Sequence, residues 1–131
     1  MTQRRLRQIN FVAAFLNSFI KDRKIYMRQI TDFKNRTLND HVYLLFKALY
    51  GLKASPALWE GTLKEYLLEI NFIPSPVDPC LWTYKDAIIA IWVDDMLCSA
   101  NSDDVFEELI ALLFQKFRIQ DIGEPTQFLD I

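Results

Sequence analysis

The chain is poor in residues that bind transition metals or staple a small fold. One histidine and two cysteines, Cys80 and Cys98, leave no ligand set for zinc, and neither cysteine belongs to a CxxC pair. Both cysteines stand in apolar, strand-like surroundings and read as buried free thiols. Glycine is scarce at three and proline numbers five, which excludes a low-complexity or disordered chain. No apolar run reaches the ~20 residues of a membrane span. The opening MTQRRLRQINFVAAFLNSF sets basic residues before an apolar stretch, as a secretory leader does. Asn10 and Asn17 interrupt that stretch, and no small-residue cleavage site follows. The expectation is a soluble intracellular protein of cytoplasm or nucleus, with no membrane association.

Apolar side chains dominate what is there. At 51% hydrophobic over 131 residues, the chain can bury the core of one domain spanning 1–131. Its net charge of −2 is unevenly spread. Residues 1–36 carry nine Lys or Arg against two Asp, while the remainder carries six basic and 15 acidic residues. A basic arm suits a phosphate backbone, and it equally suits a solvated surface. The acidic remainder suits nucleic acid poorly.

Periodicity gives the order β, β, α, β, β, β, α, β. Residues 9–16 read as a short buried strand or a strand entering a helical turn. Residues 21–39 read as loop apart from Ile25, Tyr26 and Met27, and 41–50 as a strand. Ser55-Pro56 predicts a helix start, with Ser as cap. Trp59, Leu63, Tyr66, Leu67 and Ile70 then recur on one face, and Asn71 and Pro74 end the helix. Pro74, Pro76 and Pro79 make a stiff connector. Three strands follow at 80–84, 87–93 and 96–100, turned at Lys85-Asp86 and Asp94-Asp95. The middle one is apolar on both faces and is expected to be central and covered. Asn101 or Ser102 caps a second helix with a broad apolar face through Phe106, Leu109 and Leu113. A last strand is expected at 127–131. The fold class is α+β: an antiparallel sheet with two helices packed on one face.

The acidic pair Asp94-Asp95 is the most informative feature. Folding does not need two adjacent carboxylates at a hairpin tip, although Asp favours turns for its own reasons. Magnesium takes hard oxygen ligands, commonly one or two carboxylates plus substrate phosphates. Two-metal phosphoryl transfer would need a further carboxylate from elsewhere in the chain.

Six segments in order resemble copia-type LTR retrotransposon reverse transcriptases, RNA-directed DNA polymerases. IWVDDML resembles their tyrosine-x-Asp-Asp hairpin, in the form with Val before the acids, with Trp92 standing where the family has Tyr. QINFVAAFLN resembles the first palm motif, usually Gln-Met-Asp-Val-Lys-Thr-Ala-Phe-Leu-Asn. IYM, KALYGLKASPALW, SPVDPCLW and FRIQDIGEPTQFLDI match further segments of that family. The resemblance implies a polymerase palm-like fold and two-metal nucleotidyl transfer with Mg²⁺ or Mn²⁺. It makes Asp94 and Asp95 the catalytic, metal-holding acids. Phe15, Tyr50, Gly51 and Trp92 fall at positions expected near the nucleotide or primer, and Ser55-Pro56 opens the helix beneath the template. Partners implied are an RNA or DNA template–primer and a dNTP.

The sequence departs from the family where the chemistry is most exacting. Asn10 stands where the third metal-binding Asp belongs. Val12 and Ala13 replace Lys and Thr, Ala54 replaces Gln, and Asp130 replaces Gly. Asp22, in the loop beyond the strand, is no obvious substitute. The expectation is a truncated palm domain without fingers, thumb or RNase H regions, inactive as a fragment because Asn10 is a degenerate metal position. The alternative is a non-catalytic palm remnant without selected function, or one that binds a protein partner or itself. Tyr66, Leu67, Phe106 and Phe114 would then serve a surface that truncation uncovers. Trp59 and Trp82 read as core.

Overall fold

The computed structural model describes residues 4–20, 23–29, 40–50 and 52–124. The expected strand at 127–131 lies outside these residues, as do Gly51, Asp22, Asp130 and the basic Lys21, Lys34 and Arg36.

Among the described residues, eight strands and two α-helices form an α+β fold, as expected. They are β1 (Arg5–Phe11), β2 (Ile25–Met27), β3 (Tyr43–Leu45), α1 (Ser55–Glu69), β4 (Ile73–Pro74), β5 (Leu81–Tyr84), β6 (Ala87–Trp92), β7 (Asp95–Ala100), α2 (Asp103–Phe114) and β8 (Ile119–Gly123). A 3-10 turn over Ala14–Asn17 follows β1, which matches the reading of a strand entering a helical turn. Six strands make one sheet in the order β4-β5-β6-β7-β1-β8, with every neighbouring pair antiparallel. β2 and β3 pair separately as a two-stranded ribbon. The strand expected over 41–50 thus shrinks to three residues, and its Tyr43 and Leu44 are exposed. Among the described residues, no large apolar face of this strand packs against the main sheet.

Strand alternation decides which face is buried. Ile9 and Phe11 of β1, Met96, Cys98 and Ala100 of β7, Ala87 and Ile89 of β6, and Trp82 and Tyr84 of β5 point inward. Both helices lie on that face. α1 contributes Trp59, Leu63, Tyr66 and Leu67, and α2 contributes Phe106, Leu109 and Leu113. Phe117, just past α2, sets its ring edge-on to Phe11, Trp59 and Tyr66. The Tyr66 hydroxyl donates to the Leu112 carbonyl and ties one helix to the other.

Among the described residues nothing covers the opposite sheet face, which corrects the expectation of a covered central strand. β6 lies inside the sheet, yet Ile88 and Trp92 on its outer side are 47% and 54% exposed. The proposed partner surface also needs correction. Tyr66, Leu67 and Phe106 belong to the core, and only Phe114 is exposed.

Local chemistry sets the helix ends. Ser55 is not the cap of α1. Ala54 takes that place, and the Ser55 hydroxyl, buried, donates to the Leu49 carbonyl at 2.5 Å. Asn71 ends α1 in the left-handed region, with φ 68°. Its N–H reaches Leu68 O and the Phe72 N–H reaches Leu67 O, which is a Schellman ending with buried Phe72 as the apolar contact. Ser102 precedes α2 in extended conformation, and Asp103 and Asp104 sit in the first turn, where the helix dipole favours them. Part of the proline connector pairs as a strand: Ile73 and Pro74 lie opposite Thr83 and Trp82 at the sheet edge, where a missing N–H is tolerated.

The cysteines differ, contrary to the common reading of both as buried. Cys98 is fully enclosed, and burial pushes its thiol up to about 12. Cys80 is half-exposed just before β5. A disulfide reagent at neutral pH is therefore expected to titrate one thiol per folded chain and two in denaturant. Rapid reaction of both thiols without denaturant would contradict this packing.

Candidate active site

The acidic pair stands one position away from where the sequence places the turn. Trp92 pairs with Asp95 across β6 and β7, so the two-residue turn is Val93-Asp94, and Asp95 is the first residue of β7. This shift decides where the carboxylates go. Asp95 takes the open face of the sheet, and Asp94 rides on the turn itself.

β1 runs beside β7, and Asn10 is the cross-strand partner of Asp95. The Asn10 amide donates from Nδ2 to Asp95 Oδ1 at 2.9 Å. Trp92, Asp95 and Asn10 therefore form one row across three neighbouring strands. Gln120 of β8, opposite Asn10, extends the row. Gln120 was not among the expected site residues, because the last strand was expected at 127–131 and not at 119–123. The signal was the alternation of Phe117 and Ile119 with Arg118 and Gln120, which continues a strand with one solvated face.

Two donors hold the turn. The Phe11 backbone N–H donates to Asp94 O at 2.8 Å, and the Trp59 indole N–H donates to Val93 O at 2.5 Å. Val93 sits in the left-handed region with φ 52°. For a β-branched residue this backbone is costly, by ~1–3 kcal/mol, and it persists only where the surroundings enforce it.

Asp94 keeps its proton to higher pH than an ordinary carboxylate. Partial burial is the main cause. A hydrogen bond from its own backbone opposes the shift, and the neighbouring Asp95 charge adds to it. The folded chain therefore binds this proton more tightly than the unfolded chain. Stability falls as pH rises above the usual value of 3.8 through the folded value, and the penalty persists above that window. Asp94→Asn is expected to raise the urea midpoint at pH 7 and to leave it unchanged at pH 3. An equal shift at both pH values would contradict burial of the charge as the cause.

The other predicted site residues fall into two groups. Phe15 is buried after β1, and its ring lies 4.4 Å from that of Tyr50, which is 57% exposed. Trp92 is exposed beside the acids. Asp94 and Asp95 offer the hard oxygens that Mg²⁺ takes, and by donor type the pair fits one such ion. Among the described residues, no group of three His, Cys, Asp or Glu converges on a metal position. Asn10 supplies an amide where a third carboxylate would complete the set.

A family model for reverse transcriptase (RNA-dependent DNA polymerase) matches residues 1–131. The chain is also 33% identical over 130 residues to the retrovirus-related Pol polyprotein from transposon RE1 of Arabidopsis thaliana, covering 96% of this chain and 9% of that relative. The chain belongs to the copia-type reverse transcriptase family. The corresponding polyprotein from transposon RE2 of the same plant is 31% identical, with 96% of this chain and 9% of the relative covered. A putative transposon Ty5-1 protein of Saccharomyces cerevisiae is 31% identical over 122 residues, covering 90% of this chain and 39% of the relative. The chain thus spans about a tenth of the two plant polyproteins. Among the described residues, no helix is long and apolar enough to cross a membrane.

Proposed function

We propose that residues 1–131 form a single reverse transcriptase palm domain whose acidic turn, Asp94 and Asp95, holds Mg²⁺ or Mn²⁺. We propose equally that Asn10 leaves nucleotidyl transfer inactive in this chain. The pairing of Asn10 with Asp95, across neighbouring strands and through one hydrogen bond, carries the reading. It sets the amide beside Asp95, so that a carboxylate at position 10 would stand next to the acidic pair. In such a centre the divalent ions would activate the attacking oxygen and stabilise the leaving one.

The chain's own residues supply the setting. Asp95 lies on the sheet's open face with Asp94 next to it on the turn, and Trp92 offers an exposed aromatic surface beside Asp95. Tyr50 over Phe15 is a candidate contact for the nucleotide, and Gly51 beside Tyr50 is assigned to the same role by its place in the family motif. Template–primer and dNTP are the substrates that follow from this reading.

The Asn10 amide also favours a second reading, a palm fold kept as a binding module without catalysis. A neutral amide satisfies one oxygen of Asp95 without an ion. Calorimetric titration of Mg²⁺ and Mn²⁺ separates the two readings. Binding that disappears in an Asp94→Asn, Asp95→Asn double variant supports a retained metal site. Absence of binding in both proteins rejects the metal reading and leaves the module.

A further inference from the structure

We infer that Trp59 is a positioning residue for the acidic turn, acting through the carbonyl of Val93. The inference rests on the reading of Asp94 and Asp95 as the working groups of the site. Three observations converge on it.

First, the turn is strained and externally held. Val93 adopts φ 52°, which its branched side chain disfavours. The carbonyls of both turn residues accept hydrogen bonds from outside the hairpin, one from the Trp59 indole and one from the Phe11 backbone. Second, the two donors belong to one rigid unit. The Phe11 and Trp59 rings are in edge contact at 5.2 Å, both are within 1% of full burial, and Phe117 closes the cluster. The indole therefore has one place to put its N–H. Third, the elements are separate in sequence. Trp59 comes from α1 and Phe11 from β1, so the turn is located against the helix layer as well as within the sheet.

This arrangement gives Trp59 a duty beyond core filling. Phenylalanine at 59 would keep most of the ring and lose the donor. The Val93 peptide would then be free to leave the left-handed region and carry the Asp94 carboxylate away from Asp95. Glycine at 93 adopts positive φ without strain, so it should make the turn far less dependent on the indole.

Nuclear magnetic resonance on the full chain tests this without relying on metal. In the unsubstituted protein, a through-hydrogen-bond coupling from the Trp59 indole N–H to the Val93 carbonyl is expected, and its absence overturns the proposal. In Trp59→Phe, the amide signals of residues 93–95 should move and the Val93 coupling that reports φ should change. Leu63→Ala, which loosens the same helix face but keeps the indole donor, should move these signals far less. Unmoved signals in Trp59→Phe, or equal movement in Leu63→Ala, would overturn the assignment.

Mn²⁺ affinity supplies the second arm. Supporting residues around a metal site typically account for ~10–100-fold in affinity. Trp59→Phe is expected to weaken Mn²⁺ by about 10-fold or more with Val93 present and by much less with Val93→Gly. An equal loss in both backgrounds would overturn the proposed route through Val93. If no protein in the series binds Mn²⁺, the metal reading has failed, and the resonance data still decide the positioning role.

Discussion

Asn10→Asp is expected to raise divalent-ion affinity more than any other single substitution in this chain. The position is fixed by β1–β7 register, so the new carboxylate would face Asp95 directly. In the present chain the Asn10 amide donates to Asp95 Oδ1 and offers no charge to a cation. Replacement by Asp turns that attraction into a repulsion between acids, which a bound cation relieves. Electrostatic stabilisation by such ions is worth on the order of several kcal/mol, and each ~1.4 kcal/mol is tenfold in an equilibrium or rate. An increase in Mn²⁺ affinity of about two orders of magnitude is therefore expected by calorimetry. The same variant should be less stable than its parent without metal and should regain that stability when Mn²⁺ is added. No gain in affinity would mean that the site is lost beyond one residue.

The second large effect concerns the two phenylalanines of α2. Phe106 is fully buried, with the Arg7 guanidinium 5.2 Å from its ring centre, whereas Phe114 is 65% exposed. Truncation of a buried Phe to Ala loses the transfer energy and leaves a cavity, for a total of ~3–5 kcal/mol. Phe106→Ala should lower the unfolding free energy by that amount, which consumes much of the ~5–15 kcal/mol that a domain commands. Phe114→Ala should change it by less than about 0.5 kcal/mol. Similar effects of the two substitutions in urea unfolding would contradict the placement of α2.

Much of this architecture was legible in the sequence, and the failures have physical causes. Helical spacing identified the inward faces of α1 and α2 because nothing else competes for a row of large apolar side chains. Two-residue periodicity could not show that the sheet is open on one side. Ala-Ile-Ile-Ala-Ile-Trp is apolar throughout, and only the placement of both helices on one face exposes Ile88 and Trp92. The hairpin turn was misplaced by one residue because Asp favours turns and Val disfavours positive φ. Tertiary contacts overrule that local preference here: the Trp59 and Phe11 donors hold the Val93-Asp94 turn. Ser55-Pro56 signalled a helix start correctly, but the Ser55 hydroxyl serves Leu49 instead of the helix end.

The site shows the same division. Motif order proposed Asp94, Asp95 and Asn10 as site positions, since that assignment depends on residue type alone. It could not reveal that Asn10 and Asp95 face each other, because that is a matter of register between strands 85 residues apart. Nor could it find Gln120, whose strand has one solvated face and little apolar signal.

The most direct test of the account is a crystal of the Asn10→Asp variant grown with Mn²⁺ and measured for anomalous scattering. The account predicts an anomalous peak within bonding distance of carboxylate oxygens at positions 10, 94 and 95. A peak elsewhere, or none at Mn²⁺ concentrations that saturate the calorimetric response, would contradict it.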